Sequence, residues 1–288
     1  MANILPIVSP YAGAKGRNAP CYLPYICYDG IDIYIEPFGG CYNIGIQKPK
    51  HKIEIYNDSN YKLYLLFKVL SNNGMELLLK MCEVPYSKSF FNFAKKSCDN
   101  IENCVKSDLE IAVYVWTLLL QSRNGMMQMF RGIRTGAEEV EFHNAMVEKY
   151  PLIDRLKDII TLNENALDLI EKYKNSENVF LMLDPPYIEE NYTSKNKRKD
   201  IYEKELKKAN QHLQLLNIVK DAKAKVLICT YKNKLYDEVL CSNPRWKCIP
   251  VVNTYKFMSI GKTGSPKTEA TEYIYINYTP ESGLNAKK

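Results

Sequence analysis

A chain of 288 residues with 46% hydrophobic and 25% charged residues has an ordinary globular composition, which excludes a disulfide-stapled miniprotein and an extensively disordered chain. Its 39 lysines and arginines against 33 acids leave a net charge of +6, which permits a polyanionic partner without requiring one. Nine cysteines at irregular spacing, with no paired CxxC and only three histidines, argue for reduced thiols and against a metal site or a disulfide framework.

The N-terminal MANILPIVSPYAG has no charged segment followed by an apolar core, and the longest apolar run, IAVYVWTLLL, is too short to span a bilayer. No membrane partner and a cytoplasmic location are therefore expected. The last ten residues, TPESGLNAKK, read as a frayed tail.

In chain order, IDIYIEP (31–37) and HKIEIYND (51–58) read as strands, rich in β-branched and aromatic residues and bounded by turn formers. A helix follows, in which Leu63, Leu66, Phe67 and Leu70 recur at helical spacing. From about residue 71 to 157 the pattern is one of helices and loops without a clear strand. SDLEIAVYVWTLLLQ is a buried helix, SRNGMMQMFRGIRTG a loop bearing glycine and arginine, and AEEVEFHNAMVEKYPLIDRLK helical until Pro151. NVFLMLDPP, AKVLICTY, WKCIPVVN and TEYIYINY are further strands, and Tyr202 to Ala224 is a charged helix with Leu213, Leu216 and Val219 on one face. Strands separated by helices predict an α/β fold with a mixed, mostly parallel sheet flanked by helices. The expected organisation is a sheet domain from residues 1–70 and 158–288, with 71–157 as a smaller helical insertion.

Ligands of open α/β sheets bind beyond the carboxyl ends of the strands. The first strand ends in Glu36, Pro37, Phe38, Gly39 and Gly40, and the second in Asn57 and Asp58. Glycines let a backbone approach a ligand, and an acid 18 residues after Gly40 suits ribose hydroxyls. Neither GxGxxG nor GxxxxGK[ST] is present, so neither a dinucleotide nor ATP is favoured. The alternative is a plain strand-to-helix turn with Asp58 as helix N-cap.

The stretch NVFLMLDPPYIEE raises a sharper question. Asp184 follows an apolar strand, and Pro185 and Pro186 stiffen the backbone and remove two N–H donors, leaving the Pro185 carbonyl as a fixed acceptor. An exocyclic amine offers two N–H groups to such an acceptor-only site. A carboxylate and a carbonyl that accept both draw its nitrogen towards tetrahedral geometry and free the lone pair for attack. Tyr187 can stack on the ring that carries the amine. The alternative is a buried strand that ends in a Pro-Pro turn.

Taken together, these segments resemble the Dam-type adenine-N6 DNA methyltransferases with the α-group order of motifs. YAGAKGR (11–17) is similar to the family's opening loop, YIEPFGGCYNIG to its Phe-x-Gly motif, IEIYNDSN to the strand with the ribose-binding acid, and LMLDPPY to its catalytic tetrapeptide. His212 and Leu213, ICTYKNKLYDEVL and TEYIYINY also fall in family order.

The resemblance implies S-adenosylmethionine as methyl donor, without a metal, and double-stranded DNA as substrate. It assigns the cofactor to Tyr11, Gly13, Lys15, Glu36, Pro37, Phe38, Gly39, Gly40, Asp58, Asn165, Ala166 and Asp184. Catalysis falls to Asp184, Pro185, Pro186 and Tyr187, acting on an adenine flipped from the duplex. Asn165 is a departure, since relatives usually carry an aspartate there; its oxygen still accepts a hydrogen bond, but the charge is gone.

Relatives that read GATC carry a different loop in the insertion, so GATC is not expected. Here Arg123, Asn124, Arg131 and Arg134 are candidate DNA contacts, with Met127 and Phe130 as candidate wedges. Lys195, Lys197 and Arg198, in a basic run after the catalytic tetrapeptide, are candidate phosphate contacts. His212 is read as a polar helix residue bonding a neighbouring loop, and Cys41 as a small packing residue. A restriction endonuclease partner encoded elsewhere is compatible with this reading. So are methylation of an RNA base or glutamine amide, and a catalytically silent DNA-binding role.

Overall fold

The structure, a computed structural model, describes residues 5–11, 15–16, 18–99, 101, 106–188, 208–255 and 269–280. It divides into two compact units. One, here the helical unit, comprises Met1–Gly16, Gly40–Lys48 and Asn60–Asn163; the other, the sheet unit, comprises Arg17–Gly39, Pro49–Ser59 and Glu164–Lys288.

In chain order the first elements are α1 (Ala19–Tyr22), β1 (Ile33–Glu36), α2 (Asn43–Gln47), β2 (Ile53–Asn57) and α3 (Tyr61–Cys82). Then come α4 (Lys88–Cys98), α5 (Asp108–Gln121), α6 (Glu138–Val147), α7 (Tyr150–Leu156) and the short β3 (Ile160–Leu162). The last are α8 (Ala166–Tyr173), β4 (Val179–Leu183), α9 (Ala209–Val219), β5 (Lys225–Tyr231), α10 (Lys234–Leu240), β6 (Lys247–Tyr255) and β7 (Glu269–Ile276).

The seven strands form one sheet in the order β3-β2-β1-β4-β5-β7-β6. β1 runs parallel to β2 and β4, and β4 parallel to β5, while β7 is antiparallel to β5 and β6. The fold is therefore α/β with a mostly parallel sheet, as the alternation of strand and helix patterns predicts. All five residues of β4 are buried, which explains why VFLML reads as an unbroken apolar run: a central parallel strand has no solvent face.

The six strands read from the sequence are present. β3 was not among them, because three residues without alternation carry no strand signal until a partner is beside them. Pro151 opens a helix instead of ending one: it sits in the first turn of α7, where its missing N–H has no intrahelical partner to lose. Among the described residues, the helix expected over 202–224 is α9, Ala209–Val219.

In the helical unit, α5 begins with a reciprocal cap. The Ser107 side chain accepts from the Glu110 N–H, and the Glu110 carboxylate accepts from the Ser107 N–H. α5 is apolar nearly all round and correspondingly buried, and its Trp116 indole donates to the Val8 carbonyl at 3.0 Å. α3 breaks its helical path at Asn73, and the next residue, Gly74, meets α7 so closely that a Cβ there would lie 2.9 Å from Ile153 Cγ2.

Arg155 of α7 is buried and closes the C-terminal end of α2: its Nε donates to the Ile46 carbonyl at 3.2 Å and its Nη2 to the Gly45 carbonyl. Removing that guanidinium leaves buried carbonyls unpaired. Arg155→Ala is expected to lower the unfolding free energy by about 2–4 kcal/mol, measured by urea denaturation.

Candidate active site

In the sheet unit, parallel pairing puts the carboxyl ends of β2, β1 and β4 side by side. Ile33, Tyr34 and Ile35 of β1 register with Ile53, Glu54 and Ile55 on one side and with Val179, Phe180 and Leu181 on the other. Glu36 to Gly39, Asp58, and Asp184 to Tyr187 consequently leave neighbouring strand ends.

What shapes this rim is Asn57, fully buried at the last position of β2. Its Nδ2 donates to the Pro37 carbonyl at 2.9 Å and to the Glu164 carbonyl at 3.2 Å, and its Oδ1 accepts from the Glu164 N–H at 2.8 Å. The Asn57 carbonyl also accepts from the Gly39 N–H at 2.8 Å. One residue thus ties the turn after β1 to the segment entering α8. Sequence reading passed over it as the neighbour of an acid; the available signal was an amide at the end of an apolar strand.

Gly39 has a packing reason to be glycine. A Cβ there would lie 2.3 Å from the Tyr56 ring and 3.0 Å from the Asn57 carbonyl. Glu36 is buried and accepts from the Tyr34 hydroxyl at 2.6 Å, Pro37 is buried and Phe38 half-buried. Asp58 is buried and does not cap α3, whose N-cap is Asn60, accepting from the Lys62 N–H at 3.0 Å. The N-cap role weighed for this acid therefore falls to Asn60. Asn165 is the exposed N-cap of α8, with its Oδ1 accepting from the Leu167 N–H at 2.8 Å, and half-buried Ala166 begins that helix.

At the tip of β4, Asp184, Pro186 and Tyr187 are half-buried and Pro185 is buried. The Tyr187 ring packs edge-on with Tyr231 at the end of β5, centroids 4.7 Å apart and planes at 72°. Removal from water, and then the charges of Asp184 and Glu272, hold the Tyr187 hydroxyl well above its ordinary pKa of 10.0. The ring is accordingly neutral at every physiological pH.

The sequence reading did not single out two groups here. Glu272 of β7 is buried and accepts from the Tyr22 hydroxyl; an acid next to the alternating Tyr and Ile of that strand was its signal. Tyr236 of α10, its hydroxyl pKa raised by burial and by Asp184, lies 2.7 Å from Nδ1 of the fully buried His212. Among the described residues, His212 thus has a helix residue as a partner.

Other sequence-derived candidates lie in the helical unit. Lys15 is buried and Tyr11 half-buried. Gly40 has a left-handed φ of 49°, and among the described residues a Cβ there would have the Tyr11 ring, 3.9 Å away, within reach. Gly13, Lys195, Lys197 and Arg198 fall outside the described residues.

Arg123, Asn124, Arg131 and Arg134 are exposed on one loop. An isolated antiparallel bridge between Ser122 and Phe130 closes it, with the Arg131 N–H on the Gln121 carbonyl at 2.8 Å. Gly125 is held against Pro10, where a Cβ would fall 1.7 Å from the carbonyl oxygen, and its φ of 66° favours glycine as well. Phe130 turns onto Tyr86 and Phe91, at centroid distances of 5.2 and 5.8 Å. Glu138 accepts from the N–H groups of Arg134 at 2.7 Å, Thr135 at 3.1 Å and Gly136 at 2.9 Å.

Among the described residues no group of three or more His, Cys, Asp or Glu is placed to hold a metal ion, and no helix is long and apolar enough to cross a membrane.

Asn57→Ala removes three hydrogen bonds, that to the Pro37 carbonyl fully buried, and is expected to lower the unfolding free energy by about 2–4 kcal/mol in chemical denaturation. The backbone donors, that of Arg134 foremost, hold the Glu138 carboxyl at about 2 against an ordinary 4.5. A depressed carboxylate stabilises the fold fully above the unfolded value and loses that contribution as pH falls through the folded one. Stability should therefore decline between about pH 4.5 and 2 by a component that Glu138→Gln removes, read as the difference between the two pH–denaturation profiles.

The chain matches the family model of the D12 class N6 adenine-specific DNA methyltransferases over residues 11–257. Among curated proteins none matches significantly. The matched span opens at Tyr11 and takes in both strand-end clusters and the arginine-bearing loop. The chain belongs to the D12 class of N6 adenine-specific DNA methyltransferases.

Proposed function

We propose that this protein transfers a methyl group from S-adenosylmethionine to the N6 amine of an adenine flipped out of double-stranded DNA, at one short recognition sequence. The observation that carries the reading is the Asp184-Pro185-Pro186-Tyr187 run at the tip of β4, on the strand beside β1 and its Phe38-Gly39 turn, in a chain of this family.

The residues of the sheet unit suit such a donor. Asp58 brings a buried carboxylate to the end of β2 for ribose hydroxyls, and the Phe38-Gly39 turn is held by Asn57. Asn165 and Ala166 offer an amide and a helix start for the donor's adenine. When bound, S-adenosylmethionine supplies a methyl group activated by its sulfonium, so no covalent enzyme intermediate is needed.

The chain's own residues prepare the nucleophile. The Asp184 carboxylate and the Pro185 carbonyl accept the two N6 hydrogens, which localises the nitrogen lone pair and directs it at the methyl carbon. As the new C–N bond replaces the donor's S–C bond and the sulfonium leaves as a neutral thioether, N6 sheds one hydrogen as a proton, and the carboxylate that already accepts it would receive it. Tyr187, neutral and braced by Tyr231, stacks on the extruded base. We assign target recognition to the helical stretch 71–157, with Arg123, Asn124, Arg131 and Arg134 as its DNA contacts.

Sequencing that detects N6-methyladenine directly tests this reading, with DNA from a methylation-deficient host expressing either the wild-type chain or Asp184→Ala. Methylated adenine at one short sequence is expected in the first and absent in the second. In vitro the variant should lose about 10²–10⁴-fold in rate. Abundant, folded wild-type protein that leaves every adenine unmodified would overturn the reading.

A further inference from the structure

The loop from Arg123 to Gly136 is braced more heavily than an ordinary surface loop. Besides the Ser122–Phe130 bridge and Glu138, the Lys95 ammonium donates to the Gln128 carbonyl at 3.0 Å and the Tyr86 hydroxyl to the Gly132 carbonyl at 3.3 Å. The Met127 N–H donates to Ser122 Oγ at 3.0 Å. Yet this held backbone turns two large apolar side chains into water: Met129 is 64% exposed and Ile133 61%.

Single exposed apolar residues are common on protein surfaces and by themselves mean nothing. The setting separates these two. They interleave with the exposed Arg131 and Arg134 on a short segment, and Phe130 between them is spent inward on Tyr86 and Phe91. Residues 123–136 contain no acid, and Glu138, the first acid beyond them, is bonded to the loop's own N–H groups, while Glu139 and Glu141 are exposed on the helix that follows. What the loop itself turns to solvent between 129 and 134 is cationic and apolar in alternation, complementary to a duplex with phosphates outside and thymine methyls or separable base steps inside.

We propose that Met129 and Ile133 make the apolar contacts to DNA bases, on a preformed finger whose neighbouring arginines take the phosphates or base edges. The proposal rests on the DNA-methylation reading above and moves the apolar contact away from Phe130, which serves as an anchor. A braced finger loses little conformational freedom on binding, so contact by two side chains is worth more than on a mobile loop.

The test uses the full-length protein and a fluorescein-labelled duplex carrying the sequence found methylated in the host, with anisotropy read over a salt series. Met129→Ala/Ile133→Ala should bind roughly tenfold more weakly at every salt concentration. Its dependence of log K on log salt should match wild type, because no phosphate contact is removed. Arg131→Ala should instead flatten that dependence by about one unit if it neutralises a phosphate. Met129→Leu/Ile133→Val should restore affinity, and all variants should melt with the wild type, since both side chains are exposed.

Wild-type affinity, salt dependence and methylation rate in the double alanine variant, beside an active wild type, would overturn the proposal and leave the methylation reading intact. A flattened salt dependence in that variant would overturn it too, by showing that the loop's arginines had moved. A wild type that methylates no sequence removes the reading and the proposal together.

Discussion

The rim of the sheet unit depends on a single carboxamide. Asn57 is fully buried, and its side chain gives two hydrogens to carbonyls on different segments while taking one N–H in return. A buried amide satisfied on both ends resists displacement, because moving it away from either segment leaves its own polar atoms unpaired in an apolar interior. The turn at Pro37 and Gly39 therefore has one position relative to the start of α8. Asp58 inherits its location from Asn57, the residue before it, and Asn165 from Glu164, the residue before it.

Around the tip of β4 the controlling factor is charge in a poorly solvated place. Asp184 and Glu272 are both acids, and Tyr187 and Tyr236 both stay protonated, the first held there by burial and both carboxylates, the second by burial and Asp184. A cluster of acceptors and neutral phenols favours a ligand that brings hydrogens and no negative charge of its own. An aromatic amine is such a ligand, and Pro185 and Pro186 add no N–H donor to compete with it.

The helical unit solves a different problem. Its arginine-bearing loop has no regular secondary structure beyond one bridge and one short turn, so its shape comes from side chains that grip the backbone: Glu138, Lys95, Tyr86 and Ser122. Glycine at 125 lets the loop press against Pro10. The same residues that hold the backbone leave Arg123, Arg131 and Arg134 outward.

The sequence by itself determined whatever depends on near neighbours along the chain. Apolar runs ended by turn formers marked β1, β2, β4, β5, β6 and β7, helical spacing marked α3, a long apolar run marked α5, and the tetrapeptide after β4 marked a stiff turn poor in N–H donors because proline acts on its own backbone. Tertiary structure alone decided the rest. β3 exists because a sheet edge is there to pair with, and the order β3-β2-β1-β4-β5-β7-β6 brings Asp58 and Asp184 to ends on either side of β1. Asn57 reaches Glu164 across 107 residues, and His212 reaches Tyr236 across 24; Gly39 is required by a ring, that of Tyr56, across the turn. Hydrogen bonds and close contacts between distant segments leave no periodicity in the chain, so they become visible only once the backbone has brought the partners together.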